Sequence, residues 1–183
     1  MIIGLSGKKG SGKSTVAEYL RKRYDFEELA FATALKRACI EIFGLSEHQV
    51  FGTQEDKEKI DPFWKVSPRQ ILQTVGSTVR NLESVMPQFK SIWIRRVESD
   101  MNKIIATTLN PQIVVSDVRY PDEAELIRSV DGIIINIDRL QADLCSDPHE
   151  SEIQYIEADY IIYNDADKDY LFGEIDKIIL NKI

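Results

Sequence analysis

Hydrophobic positions recur along this chain in two rhythms. Five short apolar runs have strand length: IIGLS at 2–6, FEELAF at 26–31, IVVSD at 113–117, GIIINID at 132–138 and YIIYN at 160–164. The third and fourth are almost continuous in Val and Ile, as parallel strands covered on both faces require. Between the runs the apolar spacing turns helical. In STVAEYLRKRY, Val16, Tyr19 and Leu20 fall on one helix face. This alternation predicts an α/β domain of three layers, with helices on both faces of a five-stranded parallel sheet.

One interval breaks the alternation. Residues 32 to 112 carry no strand signal, a stretch too long for a single crossover. ATALKRACIEIFG reads as a helix stopped by Gly44. SPRQILQTVGSTVRNL reads as a second, with Ser67 as cap, Pro68 in the first turn and Gln70 completing a capping box. A third is expected over 89–106. The insertion, approximately 33–110, either holds a second substrate or covers the sheet edge. Its content of Lys36, Arg69, Arg80, Arg95 and Arg96, with Trp64 and Trp93, favours substrate. No repeat, low-complexity tract or Pro/Gly linker marks a boundary, so residues 1–183 are expected to form one domain.

The first strand runs into a motif. Gly7 to Ser14 fits G-x-x-x-x-G-K-[ST] without a gap, the pattern whose backbone N–H groups cradle phosphates. Glycine lets the backbone curl round an anion where a Cβ would block it. Gly7, Lys9, Gly10, Ser11, Gly12, Lys13, Ser14 and Thr15 are therefore candidate ATP-phosphate ligands, at the positive end of the following helix. Lys13 would reach the β- and γ-phosphates and Ser14 would sit on Mg²⁺. The alternative, a flexible Gly/Ser/Lys turn, does not account for the flanking strand and helix.

Charge sharpens this picture. The chain of 183 residues has a net charge of −7, yet residues 1–24 hold six basic side chains against Glu18 alone. Residues 141–183 hold eleven acids against three lysines, which reads as an acidic, solvated surface. Without a broad basic stripe no nucleic-acid partner is expected, and the ligand should be small. No apolar run reaches 18 residues and no secretory leader is visible, so a soluble cytoplasmic protein is expected, in the host cytoplasm if viral. Cys39 and Cys145 fit no metal or nucleophile pattern.

Further chemistry sits at strand ends. Asp117 closes a buried strand where ligands of open α/β sheets bind, and a carboxylate there suits the Mg²⁺ shell. Its alternative role is to cap the helix after Pro121. Arg119 projects two residues later. Beyond the fourth strand, the polar stretch 139–152 reads as a closing loop carrying Arg139, His149 and Glu152, with Asp147, Pro148 and Glu150 forming a second capping-box start. In the insertion, Arg69, Gln73 and Arg80 share one helix face, where two planar guanidinium forks and an amide suit a monophosphate and a base edge. The sequence offers no strong general base. A phosphate-monoester acceptor needs none, because its second pKa is about 6.

FATALKRACIEIFGL, SPRQILQTVG, the helix around Trp93, VVSDVRYPDEAELI and the Arg139 to HESE stretch together resemble the deoxynucleoside monophosphate kinases of phages and large DNA viruses, over about residues 1–152. The resemblance implies a P-loop kinase fold and transfer of the γ-phosphoryl group of ATP, with Mg²⁺, to a deoxynucleoside monophosphate. It implies Lys36, Arg69 and Arg80 for the monophosphate, Arg119 near the transferred group and Arg139 in the closing loop; Lys13 joins them from the loop motif, Gln73 from its helix face, and Trp64 and Trp93 as the insertion's aromatic candidates for the substrate. The chain departs from the family's F-A-D-P-L-K at Thr33, where the carboxylate is missing. Two other readings use the same loop: a kinase of another small phosphorylated metabolite, such as dephospho-coenzyme A or phosphomevalonate, and a nucleotide-dependent binding switch. The absence of N-K-x-D disfavours a GTPase switch. Base preference, ribose exclusion and homodimer formation are left open.

Overall fold

Every strand in the sheet is parallel, and the first is central. In a computed structural model that describes residues 1–86, 91–140 and 156–182, β1 (Ile2–Ser6), β2 (Glu27–Leu29), β3 (Ile113–Val115), β4 (Ile133–Asp138) and β5 (Tyr160–Tyr163) pair in the order β2-β3-β1-β4-β5. Gly4 is in register with Val115 and Ile134, Ser6 with Asn136, and Ile137 with Ile162. The chain leaves β1 towards β2 and β3 and then crosses back to β4. Such a reversal opens a ligand crevice beyond the carboxyl ends of the strands.

Side-chain alternation assigns the two faces. Ile3, Leu5, Ile135, Ile137 and Ile162 join Val16, Ala17 and Leu20 of α1 (Lys13–Tyr24) and Leu171, Ile175 and Ile179 of α8 (Lys168–Leu180) in one core. On the other face α7 (Pro121–Arg128) packs tightly. A Cβ on Gly4 would lie 2.7 Å from Ile134 Cδ1 and 3.2 Å from Ile127 Cγ1. The acidic C-terminal segment is thus not merely solvated, because every third or fourth residue of α8 enters the core. FEELAF pairs over only three residues: Phe26 N–H closes onto Leu20 O (3.3 Å) at the end of α1, and Phe31 already has helical dihedrals.

The chain divides into two compact units, Met1–Ala30 with Glu98–Ile183, and Phe31–Val97. The second contains α2 (Ala32–Phe43), α3 (Glu47–Phe51), α4 (Gln54–Glu58), α5 (Pro68–Arg80) and a 3₁₀ turn, Asn81–Ser84, around Cys39, Leu45, Val50 and Ile71. Gly44 ends α2 in the left-handed region, and Ser67 and Gln70 form the expected capping box. The expected third helix is α6 (Ile92–Thr107). Helices α3 and α4 had no apolar period to announce them, and each rests on its own capping box, Ser46 with Gln49 and Thr53 with Asp56. Among the described residues no helix is long and apolar enough to cross a membrane.

Helices α1 and α8 are also joined by a polar clasp. Tyr19 and Tyr24 each donate a hydroxyl hydrogen bond to Asp176 Oδ1 (2.7 and 2.8 Å), and Tyr19 stacks on Phe172 at 4.0 Å. Loss of solvation, reinforced by the bond to Asp176, pushes the Tyr19 phenol from 10 to about 12 and raises Tyr24 as well. Because the fold favours the protonated phenol, this contribution is complete below pH 10 and is lost as the pH rises towards 12. The melting temperature of the wild type should therefore fall more steeply across that interval than that of Tyr19→Phe. Parallel losses would show that the clasp contributes nothing.

Candidate active site

The turn from β1 into α1 is built around backbone that only glycine tolerates. Gly7 and Gly12 have φ of 128° and 113°. A Cβ on Gly7 would lie 2.2 Å from the carbonyl oxygen of Ile137, and one on Gly12 would lie 2.6 Å from Asn164 Nδ2. Both conformation and close approach therefore exclude a side chain. Gly12 is the residue before α1, which opens with Lys13, so the positive end of the helix faces out of the loop.

Lys13 Nζ donates to the carbonyl oxygens of Gly7 and Lys8, both at 2.6 Å, which holds the ammonium against the loop. Ser11 is fully buried, and its hydroxyl has no hydrogen-bond partner among the described residues. Lys9 and Thr15 are half-buried, while Gly10 and Ser14 are exposed, with Ser14 in the first turn of α1.

The other strand ends deliver side chains to the same edge of the sheet. Asp117 follows β3 and is half-buried. The next residue, Val118, ties its N–H to Leu5 O (3.1 Å), and Arg119 is exposed beyond it. Buried Glu123 accepts from the N–H groups of Arg119 (2.8 Å) and Tyr120 (3.3 Å), so α7 brings its own acceptor to the start of the helix. Arg139 directly follows β4 and is half-buried. Of the expected closing loop, 139–152, only Arg139 and Leu140 are described; His149, Glu152 and the rest of it, Cys145 included, lie outside the described residues.

The remaining expected residues belong to the unit Phe31–Val97. Arg69, Gln73 and Arg80 lie on α5 within about 40° of one another around its axis, at about 100° per residue. Arg69 is engaged by α4: its Nε pairs with Glu58 Oε1 at 3.3 Å, and its Nη2 donates to Gln54 Oε1. The Lys36 ammonium lies over the Phe51 ring, 5.0 Å from the centroid. Both tryptophans spend their N–H groups on backbone, Trp64 on Phe43 O (2.9 Å) and Trp93 on Gly76 O (3.4 Å). Trp64 also meets Phe43 and Phe63 edge to face. These contacts leave the indole rings as apolar surfaces rather than donors.

A model of the family described as deoxynucleotide monophosphate kinase matches residues 48–175. A protein of Acanthamoeba polyphaga mimivirus named "Putative deoxynucleotide monophosphate kinase" is 37% identical over 183 residues, covering 96% of this chain and 94% of its own. The chain belongs to the deoxynucleotide monophosphate kinase family. It is a phosphotransferase of nucleotides, and the rival readings of its loop lose their support. Solved structures agree on the fold. Shikimate kinase from Aquifex aeolicus has a TM-score of 0.54 at 15% identity, covering 100% of this chain and 98% of that one. Dephospho-CoA kinase from Campylobacter jejuni has 0.52 at 15%, with the same coverage.

Two residues of this edge escaped the sequence reading, Asn164 and Glu123. Asn164 ends an apolar run as Asp117 does, and that end of the strand is where ligands of open α/β sheets bind. Glu123 stands third in its helix after Tyr120, but tyrosine is not a capping residue and hid the pattern.

The loop geometry ranks its glycines. Gly12→Ala combines a left-handed φ with a clash and should destabilise the protein by about 2 kcal/mol or more. Gly10→Ala, with nothing within 4 Å of its Cβ, carries only the backbone penalty. Chemical denaturation checks the order, and equal losses would mean that Asn164 yields freely.

Proposed function

We propose that this protein transfers the γ-phosphoryl group of ATP to the 5′-phosphate of a deoxynucleoside monophosphate. The observation that carries this reading is the similarity over almost the whole chain to a relative named for that substrate class, joined to a phosphate loop in the required left-handed geometry. A phosphate oxygen of the acceptor forms a bond to Pγ as the bond from Pγ to the β–γ bridging oxygen breaks, and ADP leaves with that electron pair.

Each residue then has a task. Backbone N–H groups from Gly7 to Thr15 hold the donor phosphates, and Lys13 neutralises the charge that develops on the transferred group. Arg119 and Arg139, at the ends of β3 and β4, supply further positive charge from the same sheet edge. Ser14 and Asp117 provide a hydroxyl and a carboxylate, hard oxygen donors of the type Mg²⁺ prefers. A bound Mg²⁺ would polarise the phosphate oxygens and screen their charge. Lys36, Arg69, Gln73 and Arg80 bind the monophosphate, and the faces of Trp64 and Trp93 offer apolar surface to a base. No base is needed, because the acceptor oxygen is already ionised.

Release of ADP in the presence of each deoxynucleoside monophosphate tests the reaction itself. Turnover with at least one of them is expected, and turnover with none, alongside activity on a non-nucleotide phosphate, would overturn the assignment. Lys13→Ala should lower kcat by about a hundredfold or more, as loss of a preorganised charge contact does. Turnover within tenfold of wild type would remove Lys13 from the chemistry. Arg80→Lys keeps the charge but loses the planar fork, so it should raise KM for the monophosphate well above any change in KM for ATP. Equal effects on both would place the acceptor elsewhere.

A further inference from the structure

The phosphate loop is held by a residue from the far edge strand. Asn164, the residue after β5, is buried, and its side-chain Nδ2 donates to Ser11 O at 2.8 Å. Its backbone N–H donates to Asp138 O at 2.7 Å. The neighbouring Asp165 accepts the Leu140 N–H at Oδ1, at 2.9 Å. A continuous set of hydrogen bonds thus runs from the middle of the loop, through Asn164 and Asp165, to the two residues that bracket Arg139.

The consequence follows from peptide geometry. In a planar trans peptide the carbonyl and the next N–H point in opposite directions, and among the described residues there are no cis bonds. Holding Ser11 O inwards on the Asn164 amide therefore turns the Gly12 N–H outwards, to the side from which an anion approaches. No sheet ladder can do this, because the loop has already left β1. The absence of a Cβ on Gly12 gives the amide its room.

We propose that Asn164 is a positioning residue for the donor nucleotide: it orients the Ser11–Gly12 peptide for phosphate binding and holds the Arg139 strand end in register with the loop. The inference rests on the reading that this loop binds ATP, and neither the family's motif nor the loop sequence designates Asn164.

The test compares wild type, Asn164→Ala, Asn164→Leu and Ile162→Val. Leucine keeps the branched shape and adds no charge but cannot donate. Ile162→Val disturbs the same strand without touching the loop. Calorimetric titration with ATP and Mg²⁺ should show the Kd weakened about tenfold in both Asn164 variants, the size of one buried hydrogen bond lost. The KM for the monophosphate should stay within about twofold of wild type at saturating ATP, a difference small on the binding scale. Ile162→Val should lower the melting temperature and leave the ATP Kd unchanged. An ATP Kd near that of wild type in Asn164→Leu, or one that follows melting temperature across all three variants, would overturn the positioning role. Failure of the wild type to bind ATP would instead overturn the proposed function, and this inference with it.

Discussion

Two glycines that cannot carry a side chain set the terms for the rest of this molecule. Gly7 lies against the carbonyl of Ile137 on β4, and Gly12 against the amide of Asn164 beyond β5. The loop is therefore gripped by the two strands on one side of β1, while α1 leaves it on the face of the sheet that it shares with α8. That arrangement requires β1 to be central and wholly buried, and all five of its residues are. It also requires β4 and β5 to be in correct register, which the Asn164 N–H to Asp138 bond secures at the strand ends. Packing of α8 against α1 then follows, because α8 begins only four residues after Asn164.

Much of this was legible in the sequence where a physical signal was strong and local. The Val- and Ile-rich runs became β3 and β4, and the Ser67, Pro68 and Gln70 signal became the start of α5. What escaped reading depended on partners distant in sequence. FEELAF looks like a six-residue strand, but Phe26 and Phe31 are claimed by the ends of the flanking helices. The acids of α8 concealed Leu171, Ile175, Ile178 and Ile179, because the charge count says nothing about which side of a helix each residue occupies. Asn164 showed only as the last letter of a strand, and its role required knowing that β5 ends beneath the loop. Arg69 shows in the sequence as a guanidinium fork on the face of a helix, and its neighbours Glu58 and Gln54, eleven and fifteen residues away, show only in the fold.

The charge distribution gains a meaning from this geometry. A net charge of −7 belongs to a protein whose ligands are anions, and the cations concentrate where backbone donors and a helix terminus already favour negative charge. Lys8, Lys9 and Lys13 stand in the loop, and Arg119 and Arg139 follow β3 and β4. The chemistry this edge supports is the gathering and neutralisation of phosphate charge. In the proposed reaction it offers placement, and the acceptor oxygen supplies its own nucleophilicity.

That division of labour can be read from the pH dependence of kcat/KM for the monophosphate, measured at saturating ATP and Mg²⁺. The account predicts a single rise that follows the second ionisation of the acceptor, with a pKa of about 6, and a plateau above it. A second ionisation on the alkaline side of neutrality, abolished by replacing one protein side chain, would reveal a general base and contradict it.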